Sequence, residues 1–200
     1  SSSNCYRAAF VKKLFPAARC RFLLLARNPL ASINGLMDGW LSPGFFSRDV
    51  GHIAKLGIKG YSAPGKPWSS RWWKFDLPPG WAAYAHKPLE EVCAFQWLSA
   101  NERILKDSAS GLLEETLRIK YEDLLSEPSL GGQLGKILDF AGLADCDLAA
   151  GAARPVMSVT APRPGKWLAR RELLLPLCSG KIKDAAAKLG YDPEEAEKWR

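Results

Sequence analysis

Arg27, Asn28 and Pro29 follow directly on an uninterrupted apolar run, Phe22 to Ala26. Arg27 is a planar, permanent cation, able to hold two oxygens of a phosphate or sulfate at once. Asn28 suits a helix cap and Pro29 the first helical position. The helix that follows would then turn free N–H groups and a partial positive charge toward the same anion. An ion pair with a nearby carboxylate is the competing role for Arg27. His52 and His86 are the only histidines. Either could act as a base, but neither falls in a motif and both read as surface or loop side chains, so no catalytic residue is assigned. Cysteines 5, 20, 93, 146 and 178 are odd in number, far apart and without a C-x-x-C pair. That argues against a disulfide framework and a zinc site and for buried free thiols in a reducing compartment. Trp68, Trp72, Trp73 and Trp81 could line a pocket for a sugar or an apolar alcohol. Packing over the end of a sheet is the equal alternative.

These residues need a scaffold, and the hydrophobic pattern supplies one. Tyr6, Phe10, Val11, Leu14 and Phe15 lie at helical spacing and predict a helix over 6–15, ended by Pro16. Residues 21–26 read as a strand buried on both faces of a parallel sheet. Leu30, Ile33, Leu36, Met37 and Trp40 continue as a helix after Asn28, completing half of a βαβ unit. Residues 42–88 break the pattern. Six of the fourteen prolines lie there, and five of the eight tryptophans fall between 40 and 81. The region reads as an irregular insertion with one helix near 48–56, of the kind that forms lids or binding loops. Helical spacing returns over 89–106. Leu117 to Tyr121 alternates as a strand, Glu122 to Pro128 turns away from it, and Leu134, Ile137, Leu138 and Ala141 form a helix stopped by Gly142. Residues 149–168 read as basic loop, and 182–189 as a helix stopped by Gly190.

Composition bounds the answer. The 200 residues are 47% hydrophobic and 24% charged, which excludes a disordered tail, a collagen-like chain and a disulfide-dependent mini-protein. No apolar run approaches the ~18 residues of a membrane span. Lys and Arg number 28 against 21 Asp and Glu, a net charge of +7. The isoelectric point near 9.2 suits nucleic acid, a membrane surface or a small anionic ligand. The charges are scattered, with no block of five. The chain opens Ser1-Ser2-Ser3-Asn4, without Met or a signal-peptide core, and reads as an internal start or a processed product.

A resemblance narrows these classes. The segment from Phe15 to Leu36, centred on Leu25-Ala26-Arg27-Asn28-Pro29, resembles the 3′-phosphate-binding segment of sulfotransferases that use 3′-phosphoadenylyl sulfate. Leu117 to Pro128, with Tyr121-Glu122-Asp123-Leu124, is similar to that family's Tyr-Glu-Asp-Leu strand end. The helix closing Ile137-Leu138-Asp139-Phe140-Ala141-Gly142-Leu143 follows it, as in the family. Arg163 to Trp167 resembles its late basic loop. Leu77 to Trp81 and Phe95 to Asn101 resemble the bacterial-type branch.

The resemblance implies that Arg27 holds the 3′-phosphate and that Tyr121 lies near the adenine. Arg163 and Gly165 would close over the phosphate, with Lys166 and Trp167 at the nucleotide edge. The family's second ligand, a Ser eight residues after the Arg, is Gly35 here, and Ser32 is the substitute hydroxyl one turn earlier. Glu122 and Asp123 are expected to cap or pair locally. The family's opening Gly- and Ser/Thr-containing phosphosulfate loop has no match. The run Gly131 to Ile137 lacks its spacing, and at Gly65-Lys66-Pro67 the proline removes a needed N–H.

The expected fold is therefore α/β: a P-loop-NTPase-like, three-layer parallel sheet with flanking helices, N-terminally truncated. It would be one domain over 1–200 carrying the insertion at about 42–88. The expected activity is sulfuryl transfer from 3′-phosphoadenylyl sulfate to a hydroxyl or amine of a small-molecule or glycan acceptor. The product would be 3′,5′-adenosine bisphosphate, with no metal, in the cytoplasm. These 200 residues alone would bind 3′-phosphoadenosine weakly or not at all, and would not turn over. A non-catalytic nucleotide-binding remnant or scaffold, and a basic nucleic-acid-binding module, are the alternatives.

Overall fold

The computed structural model describes residues 2–62, 65–144, 146, 159–161 and 163–199. A 3-10 turn at Ser2–Tyr6 leads into α1 (Ala8–Leu14), and β1 (Arg21–Ala26) runs into α2 (Pro29–Leu41). Two short strands follow in the insertion, β2 (Ser47–Asp49) and β3 (Trp72–Lys74). Then come α3 (Leu89–Ala109), β4 (Glu115–Lys120), α4 (Tyr121–Leu125) and α5 (Glu127–Ala141). Past the basic loop lie a 3-10 turn at Lys166–Arg170, α6 (Arg171–Leu174), α7 (Gly180–Lys188) and a last 3-10 segment at Pro193–Lys198. The architecture is mixed α/β. No helix among the described residues is long and apolar enough to cross a membrane.

Strands β1 and β4 pair in parallel, with Arg21 opposite Glu115 and Ala26 opposite Lys120. A parallel pair needs a long crossover, and here it contains α2, the insertion and α3. The strand expected over 21–26 forms, but it is not buried on both faces. Leu24 and Ala26 are buried, while Leu23 and Leu25 remain 49% and 48% exposed. Two parallel strands among the described residues leave that second face along an open cleft. The helix expected over 6–15 forms as α1, but of its residues only Ala8 is buried, and Phe10, Leu14 and the following Phe15 stay exposed.

The insertion contains no helix over 48–56. Asp49 ends β2, and its carboxylate accepts the Gly51 N–H (2.9 Å) and Arg71 Nη2 (2.7 Å), while Ile53 N–H returns to the Val50 carbonyl. These bonds close a turn before a helix can start. Tyr121, placed at a strand end by its alternation, opens α4 instead. Thiol burial holds in full for Cys93 alone; Cys146 is exposed.

The core gathers under α2 and α3. Trp40, Trp73 and Tyr61 are fully buried, with Trp40 edge-on to both neighbours at 4.8 and 5.2 Å. Trp40 Nε1 donates to Gln96 Oε1, and Gln96 Nε2 donates to the carbonyls of Lys74 and Asp76. This satisfied buried network fixes the chain around Phe75, which sits at φ 61 in the left-handed region, a strained setting for an aromatic residue. Lys74, 1% exposed, donates to the Ser42 carbonyl, and burial, with Lys66 adding, lowers its pKa. Phe75 lies so close to Gly39 that a Cβ there would overlap the ring. Gly39→Ala is therefore expected to cost about 1–3 kcal/mol, read as a lowered denaturation midpoint with an unchanged slope in urea.

Candidate anion-binding site at the strand ends

The β1–β4 ladder ends with Ala26 opposite Lys120, and the residues that leave the two strands meet there: Arg27 with Tyr121 and Asn28 with Glu122. The Arg27 guanidinium lies over the Tyr121 ring, 4.7 Å from its centroid, a cation–π contact that orients the side chain without neutralising it. Among the described residues Arg27 makes no ion pair. Asn28 is buried and caps α2 as expected, accepting the Ala31 N–H through Oδ1 at 2.8 Å. Glu122 does not pair locally. Its Oε1 accepts the Asn28 backbone N–H (3.0 Å) and Nδ2 (2.7 Å), and its Oε2 accepts Tyr191 Oη (2.7 Å).

The cap changes what α2 offers. Pro29 has no N–H, Asn28 takes that of Ala31, and Leu30 is fully buried. The open cradle of free N–H groups expected at this helix start is thus largely used by the protein itself. Attraction for an anion falls to side chains.

A cleft of about 670 Å³ opens beside this turn, within the range of small-molecule sites. Arg27, Ser32, Gly35, Tyr121, Arg163, Gly165 and Lys166 all line it, so it collects the cofactor-site residues expected from three separate stretches. A Cβ added to Gly35 would sit 3.6 Å from Arg27 Nη1, an ordinary contact. Gly165 takes φ 65, and starts the 3-10 turn of the basic loop.

Other expectations fall elsewhere. Trp68, Trp72, Trp73 and Trp81 do not line this cleft. Trp73 is core, edge-on to Trp81 at 5.3 Å, and Trp72 is exposed. Trp167 lines the cleft but is not a free clamp at the nucleotide edge. It is fully buried, and its Nε1 donates to the Trp199 carbonyl at 2.6 Å. Lys166 is also engaged, donating to Asp38 Oδ2 at 2.6 Å and to the Thr160 hydroxyl. His52 and His86 are exposed and lie outside the cleft. Part of the stretch 149–168 read as basic loop lies outside the described residues.

Sequence reasoning missed what holds the basic loop in place. Arg170 Nη1 donates to Asn34 Oδ1 (2.6 Å) and Asp38 Oδ1 (2.7 Å), so α2 grips the loop through two of its own turns. Asn34 and Asp38 stand four apart on one helix face, a spacing visible in the sequence but without a partner until the chain folds. Comparison with protein-family models, with curated proteins and with solved structures finds no match for this chain.

Burial would raise the Asp38 pKa, but hydrogen bonds from Lys166 and Arg170 outweigh it and hold the carboxyl below its ordinary value. A depressed carboxyl contributes stability above its unfolded pKa of about 3.9 and loses it as pH falls through the folded value. Asp38→Asn is expected to lower the thermal midpoint at pH 7 and to flatten its fall between about pH 5 and pH 3, measured by circular dichroism.

Proposed function

We propose that this chain holds the 3′-phosphate end of 3′-phosphoadenylyl sulfate and belongs to a sulfotransferase that moves the sulfuryl group to a hydroxyl or amine. The observation that carries the reading is the convergence of Arg27, Ser32, Gly35, Tyr121, Arg163 and Gly165 on one cleft from three distant stretches. The wider fold implied is P-loop-like, with β1 and β4 as neighbouring strands of its parallel sheet. Ligands of such sheets bind outside the carboxyl ends of the strands, which is where Arg27 and Tyr121 stand.

The residues fit the nucleotide in their chemistry. Arg27 presents a guanidinium that no carboxylate among the described residues neutralises, braced by an aromatic ring. Arg163 is a second exposed cation on the same cleft. Ser32 brings a hydroxyl, and Gly35 leaves the approach to Arg27 open. The bound donor would supply the activated sulfuryl group. This chain's residues would anchor the far end of the nucleotide and so fix the direction from which an acceptor arrives. No residue here is assigned as the base.

A non-catalytic nucleotide-binding role has two observations in its favour: Lys166 is tied to Asp38, and Gly35 stands where the resembling enzymes carry a hydroxyl. Both readings predict one specific site. Arg27→Ala or Arg163→Ala alone should abolish saturable binding of adenosine 3′,5′-bisphosphate by NMR titration. A nucleic-acid-binding surface would instead spread the loss over many Lys and Arg and show a steep salt dependence. Unchanged affinity in both variants would contradict the proposal. Restoring the hydroxyl with Gly35→Ser should tighten binding several-fold, about 1 kcal/mol for one added hydrogen bond.

A further inference from the structure

We infer that Glu122 is the positioning residue of this site and that it acts by fastening the Arg27-Asn28 turn to the C-terminal segment, which is thereby part of the site. The inference rests on the nucleotide reading for its functional consequence, and on geometry for the rest.

Glu122 touches three pieces of chain at once. It follows Tyr121, whose ring carries the Arg27 guanidinium. One carboxylate oxygen receives both donors of Asn28, and the other receives the Tyr191 hydroxyl. Asn28 in turn caps α2, so the bond pair to Glu122 fixes where β1 stops, where α2 starts and where the Arg27 side chain leaves the backbone. Burial, and after it the bond to Glu122, raises the Tyr191 phenol well above its ordinary pKa, so it stays a donor.

Tyr191 is itself held. It is buried, packs edge-on against Trp199 at 5.7 Å, and lies under Lys120, whose Nζ donates to the Gly190 carbonyl at 2.7 Å. Trp199 uses its carbonyl to receive Trp167 Nε1 from the basic loop. Both walls of the cleft therefore end on the same short segment. The strand-end turn reaches it through Glu122 and Tyr191, and the basic loop through Trp167 and Trp199. A carboxylate could stand here to repel or to attract charge. Its hydrogen bonds to Asn28 and Tyr191 assign it to position instead, and they predict that an uncharged acceptor of the same shape will serve.

The discriminating series is Glu122→Ala, Glu122→Gln and Tyr191→Phe in the full chain. Two readouts apply: the Arg27 Nε–H resonance, which the Tyr121 ring 4.7 Å away is expected to displace, and the Kd for adenosine 3′,5′-bisphosphate. Glu122→Ala should move the Arg27 resonance toward its unstructured position and weaken binding about tenfold. Glu122→Gln, which can still accept from Asn28 and donate to Tyr191, should keep both near wild type. Tyr191→Phe removes one of the three bonds and should fall between, testing the link even if Glu122→Ala does not fold. If Glu122→Ala leaves the Arg27 resonance and the affinity unchanged, or if Glu122→Gln is as damaging as Ala, the positioning role is overturned. If wild type binds no adenosine 3′,5′-bisphosphate, the nucleotide reading fails, while the Arg27 resonance still decides whether Glu122 positions the turn.

Discussion

The parallel register of β1 and β4 is the constraint on which the site depends. With Ala26 opposite Lys120, the residues just beyond the two strands are brought together, Arg27 with Tyr121 and Asn28 with Glu122. A slip of one residue would set Arg27 against Lys120 or Glu122, and would exchange the buried and exposed faces of β1. The exposed pairs of Glu115 with Arg19 and Arg21 close the other end of the ladder, but such pairs contribute little. The buried residues Leu24, Ala26 and Ile119 and the polar lock at Glu122 must hold the register between them.

Helix α2 is the second organising element, and each part of it has a separate task. Its capped start fixes Arg27. Its middle, through Asn34 and Asp38, holds Arg170 and Lys166 and so the basic loop. Its end places Trp40 in the core, bonded to Gln96 of α3. The loop cations are therefore fixed relative to Arg27 by one rigid body, and the helix also bears the strained chain around Phe75. Asp38, Asp76, Asp107 and Glu122 line the cleft beside the cations, and two of them, Asp38 and Glu122, bond to the groups on its two sides.

Much of the local structure was legible because it is written in short-range chemistry. The cap at Asn28, the proline at the helix start, the apolar spacing of α2 and α3, and the stop at Gly142 all formed as read. What failed was whatever depends on partners far away in the chain. The apolar run of β1 announced a strand but could not say that one face would border a cleft. The tryptophans of the insertion signalled aromatic surface, and only folding assigned Trp73 to the core. Of the site, the cations and Tyr121 were legible from motif order. The roles of Glu122, Asn34 and Asp38 were not, because their partners stand 69 to 136 residues away. The anion cradle at the α2 start was a misreading of another kind: the same Asn28 and Pro29 that mark a helix start also remove N–H groups that an anion would need.

The most direct test is an NMR titration of the chain with adenosine 3′,5′-bisphosphate, following arginine Nε–H and tyrosine ring resonances. Arg27, Arg163 and Tyr121 are expected to shift together along one saturable curve, and adenosine 5′-monophosphate, lacking the 3′-phosphate, should shift Arg27 far less. Shifts spread evenly over the surface arginines without saturation, or an Arg27 resonance that does not move, would contradict the account.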